Sequence, residues 1–468
     1  MARINTNIPS LQAMTRFGKN NADLNTRLQR LSTGLKINSG RDAPAGLIAS
    51  ETLRSEIEGI RQGIDNTTRA NNVINTAEGA LSEASSLLLQ LQSLTNEAAN
   101  TGALSKQEIE ANQLQVDSII NSINRISNTT QFNGVKLLNG QLDYITSGVA
   151  STAIDTIQIN ASKLPDNGAQ TVTVQVTGSA QLGEIAFTGT TVGTSAVTIE
   201  IAGNEGTEQL SFAANTTVSA VAFAVNGLSD STSITASATA GGVTFNSSAY
   251  GSRQFVSVKT LSGNFVNGKD FGQDATVSIN GSAADVDGLK ASVRNGDFDV
   301  EVQLDKTFGT TVSTAGTSFD ITGGGAKFQI GSRVNRGGQI QVGIGSVSTT
   351  KLGNEVVGYL SSVGSGGDNS LVGGNTVNAQ KIITEAIRQV ATLRGRLGAL
   401  QKNVLDSNTN SLNVALENVT ASESAIRDAD FASETAALTR AQILVQANTS
   451  VLAQANSSPQ SVLSLLGR

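Results

Sequence analysis

The residues best suited to chemistry in this chain are four carboxylates in one short stretch, Asp297, Asp299, Glu301 and Asp305. A pair of carboxylates at a suitable separation can supply the acid and the base of glycoside hydrolysis. Here most of the acidic positions alternate with apolar ones, so in a strand they would share the face opposite to a buried face. The pattern predicts a solvated strand face, and a paired-acid site is the alternative that a cleft would support.

Other familiar catalytic sites are excluded by composition. The 468 residues include no Cys and no His. Without Cys there is no disulfide, thiolate nucleophile or Cys-ligated metal, and without His there is no Ser-His-Asp triad or HExxH zinc site. The glycine runs at 323–325 and 364–367 lack the Lys-Ser/Thr of a phosphate loop and predict turns or linkers. No cofactor is expected, and a carbohydrate-binding or glycosidase insert stays open.

The charge balance argues against nucleic acid as a partner. The formal net charge is −6, and no basic run with interleaved aromatic residues is present. No stretch approaches the roughly 18 apolar residues that cross a bilayer, so no membrane insertion is expected. The first residues lack the apolar segment of a secretory signal. We therefore expect a cytoplasmic protein, or one that is exported without a cleavable signal.

The amino-acid composition divides the chain into three regions. Residues 1–140 and 373–468 are rich in Leu, Ile, Asn and Arg, whereas residues 141–372 are rich in Gly, Ser, Thr and Val. The predicted fold class is α + β, with long coiled-coil-like helices at both ends and a β-rich insert between them. One helical run from Leu53 to Leu94 continues for about 50 residues, or about 75 Å, which suits a rod. Asn38–Gly40 should break the preceding helix, and Asp42 should cap the new one before Pro44.

Both ends carry an apolar stripe at helical spacing. In the first 35 residues the stripe comprises Ile4, Ile8, Leu11, Met14, Phe17, Leu24, Leu28, Leu31 and Leu35. In the last 31 it comprises Leu438, Leu444, Val451, Leu452, Val462, Leu463, Leu465 and Leu466. A lone helix of this kind buries too little to offset the entropy of ordering it. The stripes are therefore predicted assembly interfaces, disordered in the free chain and helical once assembled. The alternative is that both ends pack on a globular core.

The middle region predicts half-buried antiparallel strands. Apolar residues alternate with polar ones around Val174, Val302 and Val342. The pairs Asn280-Gly281 and Asn295-Gly296 are typical of type I′ hairpin turns. One or two small β domains are expected.

Several motifs at the two ends resemble those of bacterial flagellin. The N-terminal motifs are LSTGLKINSGRDAPAGL at 31–47 and QFNGVKLL at 131–138. The C-terminal motifs are IRDADFASE at 426–434, RAQIL at 440–444 and SVLAQAN at 450–456. The resemblance covers about 140 residues at the start and about 95 at the end. A hook–filament junction protein, which shares such ends, is the nearest rival.

The resemblance implies a non-enzymatic subunit of the extracellular flagellar filament, which drives swimming motility. It implies inner-core helices at 1–40 and 426–468, outer-core helices at 41–140 and 373–425, and a variable surface region at 141–372. It also implies a homopolymer, type III export of the unfolded chain, an export chaperone on the C-terminal helix, and filament cap and hook-junction proteins as partners.

Two further features depend on the resemblance. The stretch at about 199–240 is similar to an insert motif of flagellins and hook-associated proteins. In many flagellins the helix around 88–97 carries arginines that an animal Toll-like receptor contacts. This chain has Gln90 and Gln92 in their place, near Leu94, so weak receptor activation is expected.

Overall fold

A computed structural model describes residues 6–165, 168–295 and 298–466, with the backbone alone at 314 and 458–466. It confirms the predicted class, with long helices towards both ends and a β-rich middle. The α-helices are α1 (Ile8–Thr33), α2 (Pro44–Ala98), α3 (Lys106–Thr129), α4 (Val218–Asn226), α5 (Ser229–Thr232), α6 (Lys306–Gly309), α7 (Thr376–Leu400), α8 (Ser407–Arg427) and α9 (Phe431–Leu466). A π-helical stretch, Gln401–Asp406, joins α7 to α8, and 3-10 turns lie at Arg336–Gly338, Leu360–Val363 and Leu371–Gly373.

The strands lie between α3 and α7, and most of them are short. They are β1 (Gln131–Phe132), β2 (Val135–Lys136), β3 (Tyr144–Ser147), β4 (Ile154–Ser162), β5 (Gln170–Gly178), β6 (Glu184–Thr188), β7 (Val197–Ala202), β8 (Thr207–Phe212), β9 (Ile234–Thr239), β10 (Gly242–Ser247), β11 (Phe255–Ser262), β12 (Gly268–Phe271), β13 (Thr276–Ile279), β14 (Ser282–Ala283), β15 (Asp285–Asp287), β16 (Lys290–Asn295), β17 (Phe298–Leu304), β18 (Ser313–Gly324), β19 (Ala326–Gln329), β20 (Gln339–Val342), β21 (Gly353–Asn354) and β22 (Gly358–Tyr359).

The chain divides into two compact units. Unit 1 takes its described residues from Met1–Thr68, Gln329–Gly338 and Val404–Arg468, and unit 2 from Arg69–Phe328 and Gln339–Asn403. Unit 1 therefore contains α1, α9, α8 and the first part of α2. Unit 2 contains the rest of α2, α3, α7 and nearly all of the strands.

In unit 1, the first helix ends earlier than the sequence predicted. Gly34 closes α1 with φ 73°, and its N–H donates to the Arg30 carbonyl. Glycine adopts this left-handed conformation without a Cβ clash. The predicted break at Asn38–Gly40 lies within the non-helical residues 34–43, but α1 ends before it. Leu35 lies beyond the helix, in a β-bridge with Asp428. The break was predicted at Asn38–Gly40, and Gly34 was not considered.

The prediction that Asp42 caps α2 was also wrong. Its carboxylate accepts hydrogen bonds from the backbone N–H groups of Ser39 and Asn38, at 2.9 and 3.1 Å. These bonds lower the pKa of Asp42. The residue stabilises the loop before α2 and leaves Pro44 to begin the helix, where Pro is tolerated.

Still in unit 1, a short loop packs closely on α2. A Cβ added at Gly59 would lie 2.6 Å from the Ser332 carbonyl oxygen. Asn408, from α8, donates to the Ile330 carbonyl at 2.9 Å and to Thr67 of α2 at 3.3 Å. Small residues and amide hydrogen bonds thus hold the loop 329–338 against both helices.

In unit 2, α2, α3 and α7 each bury an apolar stripe at helical spacing. The buried positions include Ile74, Leu81, Leu88 and Leu91 of α2, Val116 and Ile123 of α3, and Ile383, Val390 and Leu397 of α7. Arg394 of α7 forms a 2.8 Å ion pair with Glu78 of α2. After α7 the chain is π-helical at Gln401–Asp406, and the following helix, α8, has no buried residue.

The strands of unit 2 form two separate hydrophobic cores. The first lies between the sheets β14-β13-β5-β18-β3 and β15-β16-β17-β4, and contains Val174, Val302 and Phe319. The second lies among the sheets β6-β10-β9 and β12-β11-β7-β8 and the helix α4, and contains Phe245 and Ile199. Asn280 and Gly281 have φ 49° and 77° between β13 and β14, as the type I′ prediction requires. Gly296 lies outside the described residues.

Candidate assembly surface on the terminal helices

The two terminal helices pack against each other in antiparallel orientation. At one end, Asn7 donates to the Ala455 carbonyl at 2.8 Å and Ser10 donates to Asn456 at 2.7 Å. At the other end, Arg27 contacts Glu434. The start of α1 thus meets the far part of α9, and the end of α1 meets its beginning. We call this pair of helices the terminal hairpin.

One buried carboxylate fixes the alignment of the terminal hairpin. Glu434 is 8% exposed. Arg27 Nη1 donates to both of its oxygens, at 3.1 and 3.2 Å, and Arg30 Nη1 lies 3.8 Å away. Burial opposes the charge of Arg27, but the hydrogen bond to Glu434 and the nearby carboxylates outweigh it and raise the pKa of Arg27. Sequence reasoning missed this group, because a charged trio split between two ends has no local signature.

The terminal hairpin buries little of its apolar surface. Among the described side chains of α1 and α9, the buried apolar residues are Ala13 and Ala441. Eight larger apolar side chains are between 43% and 66% exposed, namely Ile8, Leu11, Met14, Leu28, Phe431, Ile443, Leu444 and Val451. Covering half of each would contribute on the order of 10 kcal/mol in total. We call these eight residues the exposed apolar row.

The structure divides the predicted interface residues into three groups. Ile8, Leu11, Met14, Leu28, Leu444 and Val451 are exposed, whereas Phe17, Leu24, Leu31, Leu35, Leu438 and Leu452 are half-buried. Ile4 lies outside the described residues. Val462, Leu463, Leu465 and Leu466 belong to the backbone of α9, and their side chains lie outside the description. Phe431 and Ile443 were missed, although Ile443 directly precedes a predicted position.

The three residues expected at the receptor-contacting region lie on α2. Gln90 is exposed, while Gln92 and Leu94 are half-buried. The neighbouring Leu88 and Leu91 face the core of unit 2. An arginine would therefore fit at Gln90 without displacing a packed side chain.

The acidic stretch is not a freely solvated face. Asp299 forms a 2.9 Å ion pair with Arg294, and Asp305 caps α6 by accepting from the Thr307 N–H at 2.7 Å. Glu301 forms a 2.5 Å ion pair with Lys290. Asp297 lies outside the described residues. Asp299, Glu301 and Asp305 are half-buried, and Asp299 and Glu301 are paired with neighbouring cations. Strand alternation alone cannot show these pairings.

Glu301 also lines a cleft of about 220 Å³ together with Glu385. Glu385 forms a 2.6 Å ion pair with Arg388, whose pKa is raised, first by the hydrogen bond to Glu385. With each carboxylate bound to a neighbouring cation, the cleft offers no free acid and base to a glycoside.

Two other possibilities for the described residues are a metal site and a membrane-spanning helix. No group of three or more His, Cys, Asp or Glu among these residues could hold a metal ion. Within the same ranges, no helix is long and apolar enough to cross a membrane.

Two protein-family models match the helical regions at the two ends of the chain. Residues 4–143 match the family model described as the bacterial flagellin N-terminal helical region, and residues 380–466 match that of the C-terminal helical region. The chain is similar to the B-type flagellin of Pseudomonas aeruginosa, with 31% identity over 519 residues and 99% of both chains covered. It is similar to the polar flagellin B/D of Vibrio parahaemolyticus, with 29% identity over 487 residues and 99% of both covered.

Solved structures resemble the fold more distantly. FliC from Burkholderia pseudomallei shares 14% identity, covers 71% of this chain and 99% of its own, and gives a TM-score of 0.25. Flagellar hook associated protein-3 from Legionella pneumophila shares 13% identity, covers 80% of this chain and 97% of its own, and gives 0.31. These scores are low, and the relationship rests on the full-length sequence relatives.

Proposed function

The chain belongs to the bacterial flagellin family, and from this premise we propose that its terminal hairpin joins those of other copies to form the shaft of a filament. Membership makes the chain a structural subunit of the flagellar filament, in a family that is structural and not enzymatic. The observation that carries the proposal is the exposed apolar row on α1 and α9.

Self-association gives a reason why the terminal hairpin exposes large apolar side chains and why they lie on both of its helices. The exposed apolar row lies on both helices, so its α1 part in one copy can contact its α9 part in the next. Contacts between different surfaces of identical chains generate open helical polymers when the rotation does not close. The predicted interface residues, Ile4 and the C-terminal group 462–466 included, belong to this proposed surface.

Charge substitutions in the exposed apolar row test the proposal. Leu11→Glu and Ile443→Glu place a carboxylate where an apolar contact is proposed, and each should abolish filaments, because burying an unpaired charge costs several kcal/mol. Phe223→Glu is the matched control, since Phe223 is 83% exposed on α4 in unit 2. Negative-stain microscopy and sedimentation would measure assembly. Filaments from both hairpin variants at the wild-type critical concentration would contradict the proposal.

We further propose that the chain reaches the extracellular filament by export in an unfolded state through the flagellar secretion channel. The lack of Cys supports this, since no disulfide can lock the chain against passage. Deleting the export channel should retain the protein inside the cell. Unchanged secretion in the deletion strain would refute this route.

Three partners follow from the same proposal: an export chaperone on α9, the filament cap and the hook-junction proteins. Ile443, Leu444 and Val451 give α9 the exposed apolar positions that a chaperone groove would cover. A chaperone complex should form with the wild-type chain and weaken with Ile443→Glu, but not with Phe223→Glu. Equal binding by all three chains would place the chaperone elsewhere.

We also propose weak activation of the animal flagellin receptor. The proposal rests on the family resemblance and on Gln90 and Gln92, which stand where the receptor-contacting motif has arginines. In a reporter-cell assay, the double substitution Gln90→Arg and Gln92→Arg should raise potency. Full potency of the wild-type chain would refute the proposal.

A further inference from the structure

Met14 stands apart chemically within the exposed apolar row. The chain has two Met and no Cys, and Met1 lies outside the described residues. Met14 is therefore the one sulfur in the described structure. Its side chain is 66% exposed, more than any other member of the exposed apolar row.

Met14 also occupies a definite position on α1. It follows Ile8 and Leu11 at intervals of three residues, so the three side chains are neighbours along one flank of the helix. Ala13, which directly precedes Met14, is 4% exposed and faces α9. The thioether is therefore directed away from the helix partner and into the surface where another copy is proposed to bind.

We propose that Met14 is an oxidation site that controls assembly, an inference that rests on the proposed self-association of the terminal hairpin. The oxidant is a peroxide. The thioether sulfur attacks one peroxide oxygen, the O–O bond breaks as the S–O bond forms, and the departing hydroxide takes the remaining proton from the transferred oxygen. Sulfur is oxidised to the sulfoxide, and hydrogen peroxide is reduced to water.

The sulfoxide at residue 14 is incompatible with an apolar contact that excludes water. Methionine sulfoxide is polar and chiral, and it disrupts apolar interfaces that the thioether would stabilise. A subunit oxidised before assembly therefore adds poorly to a filament. A subunit already in the filament is protected, because its Met14 is covered by a neighbouring copy.

Peroxide treatment of purified subunits tests the inference. Oxidised wild-type chain should need a critical concentration raised by about tenfold or more, whereas Met14→Leu, which keeps Met1, should polymerise alike with and without peroxide. Mass spectrometry would locate the sulfoxide. Within preformed filaments, Met14 should oxidise at least about tenfold more slowly than in free subunits, since cover limits access.

The outcomes separate this inference from the proposed function. If the untreated wild-type chain forms no filament, the proposed function fails. If it forms filaments and peroxide leaves the critical concentration unchanged despite a sulfoxide at residue 14, this inference alone is overturned. Should Met14→Leu fail to assemble, reducing the oxidised wild-type chain with methionine sulfoxide reductases decides the matter: recovery of assembly supports the inference, and no recovery rejects it.

Discussion

At the scale of single residues, the terminal hairpin has weak apolar packing but one buried charged contact. Glu434 is the charged residue buried in the described structure, and it is held by Arg27 and Arg30 from the other helix. Such a group defines which residues of α1 and α9 face each other, because any slip would leave the carboxylate buried without a partner. The exposed apolar row is then the area that we propose to contact other copies.

Glu434→Gln should weaken the terminal hairpin by about 1–2 kcal/mol, less than for a fully buried pair because Arg27 is partly solvated. The loss should appear as a lower dissociation temperature of the filament. The control is Glu58→Gln, whose exposed ion pair with Arg61 should contribute little. Equal effects of the two substitutions would contradict the assigned role of Glu434.

Asp143 gives unit 2 a contribution to stability that depends on pH. Burial is the main reason that the pKa of Asp143 is raised above its ordinary value of 3.8, even with Arg396 and Lys351 nearby. Folding therefore favours the protonated form, and this residue's stability contribution falls as the pH rises from 3.8 through the folded pKa. Asp143→Asn should raise the melting temperature of unit 2 at neutral pH and not below pH 3.8. A lowered neutral-pH melting temperature would contradict this.

At the scale of elements, the periodicity of apolar residues predicted the buried faces of helices better than the ends of helices. The helical run through Leu88 is buried on one face, because helical spacing alone determines which face is apolar. The end of α1 was misplaced, since a single Gly34 with positive φ closes it. The π-helical stretch after Leu400 has no sequence signature, and Glu434 joins Arg27 across 407 residues. Such long-range contacts depend on the fold, which local patterns do not encode.

Substitution by alanine should have opposite effects on stability at Gly18, within α1, and at Gly34, which closes it. Gly34→Ala forces a side chain to φ 73° and should cost about 1 kcal/mol or more. At Gly18, within the helix, an added Cβ meets nothing within 4 Å, and alanine gains about 1 kcal/mol of helix propensity. Gly34→Ala should lower the dissociation temperature of the filament, and Gly18→Ala should not. A similar loss in both would contradict the assigned end of α1.

At the scale of the whole molecule, the two units differ in how much of their apolar side-chain surface they bury. Unit 2 has two β cores and buried stripes on three helices. Among its described side chains, the terminal hairpin of unit 1 buries two apolar residues, both alanines, and leaves eight larger apolar side chains substantially exposed. Because ordering a residue costs about 1–2 kcal/mol of backbone entropy, we propose that burial on this scale is too small to hold the hairpin in a free subunit and that assembly stabilises it.

Amide hydrogen exchange on free subunits and on filaments tests this claim most directly. In free subunits, residues 8–33 and 431–457 should exchange rapidly, while the buried strands of unit 2 are protected. In filaments, the same terminal segments should exchange about a hundredfold more slowly or better, because covering the exposed apolar row makes their opening costly. Strong protection of residues 8–33 in free subunits, unchanged on assembly, would show that the hairpin is stable alone and would contradict the account.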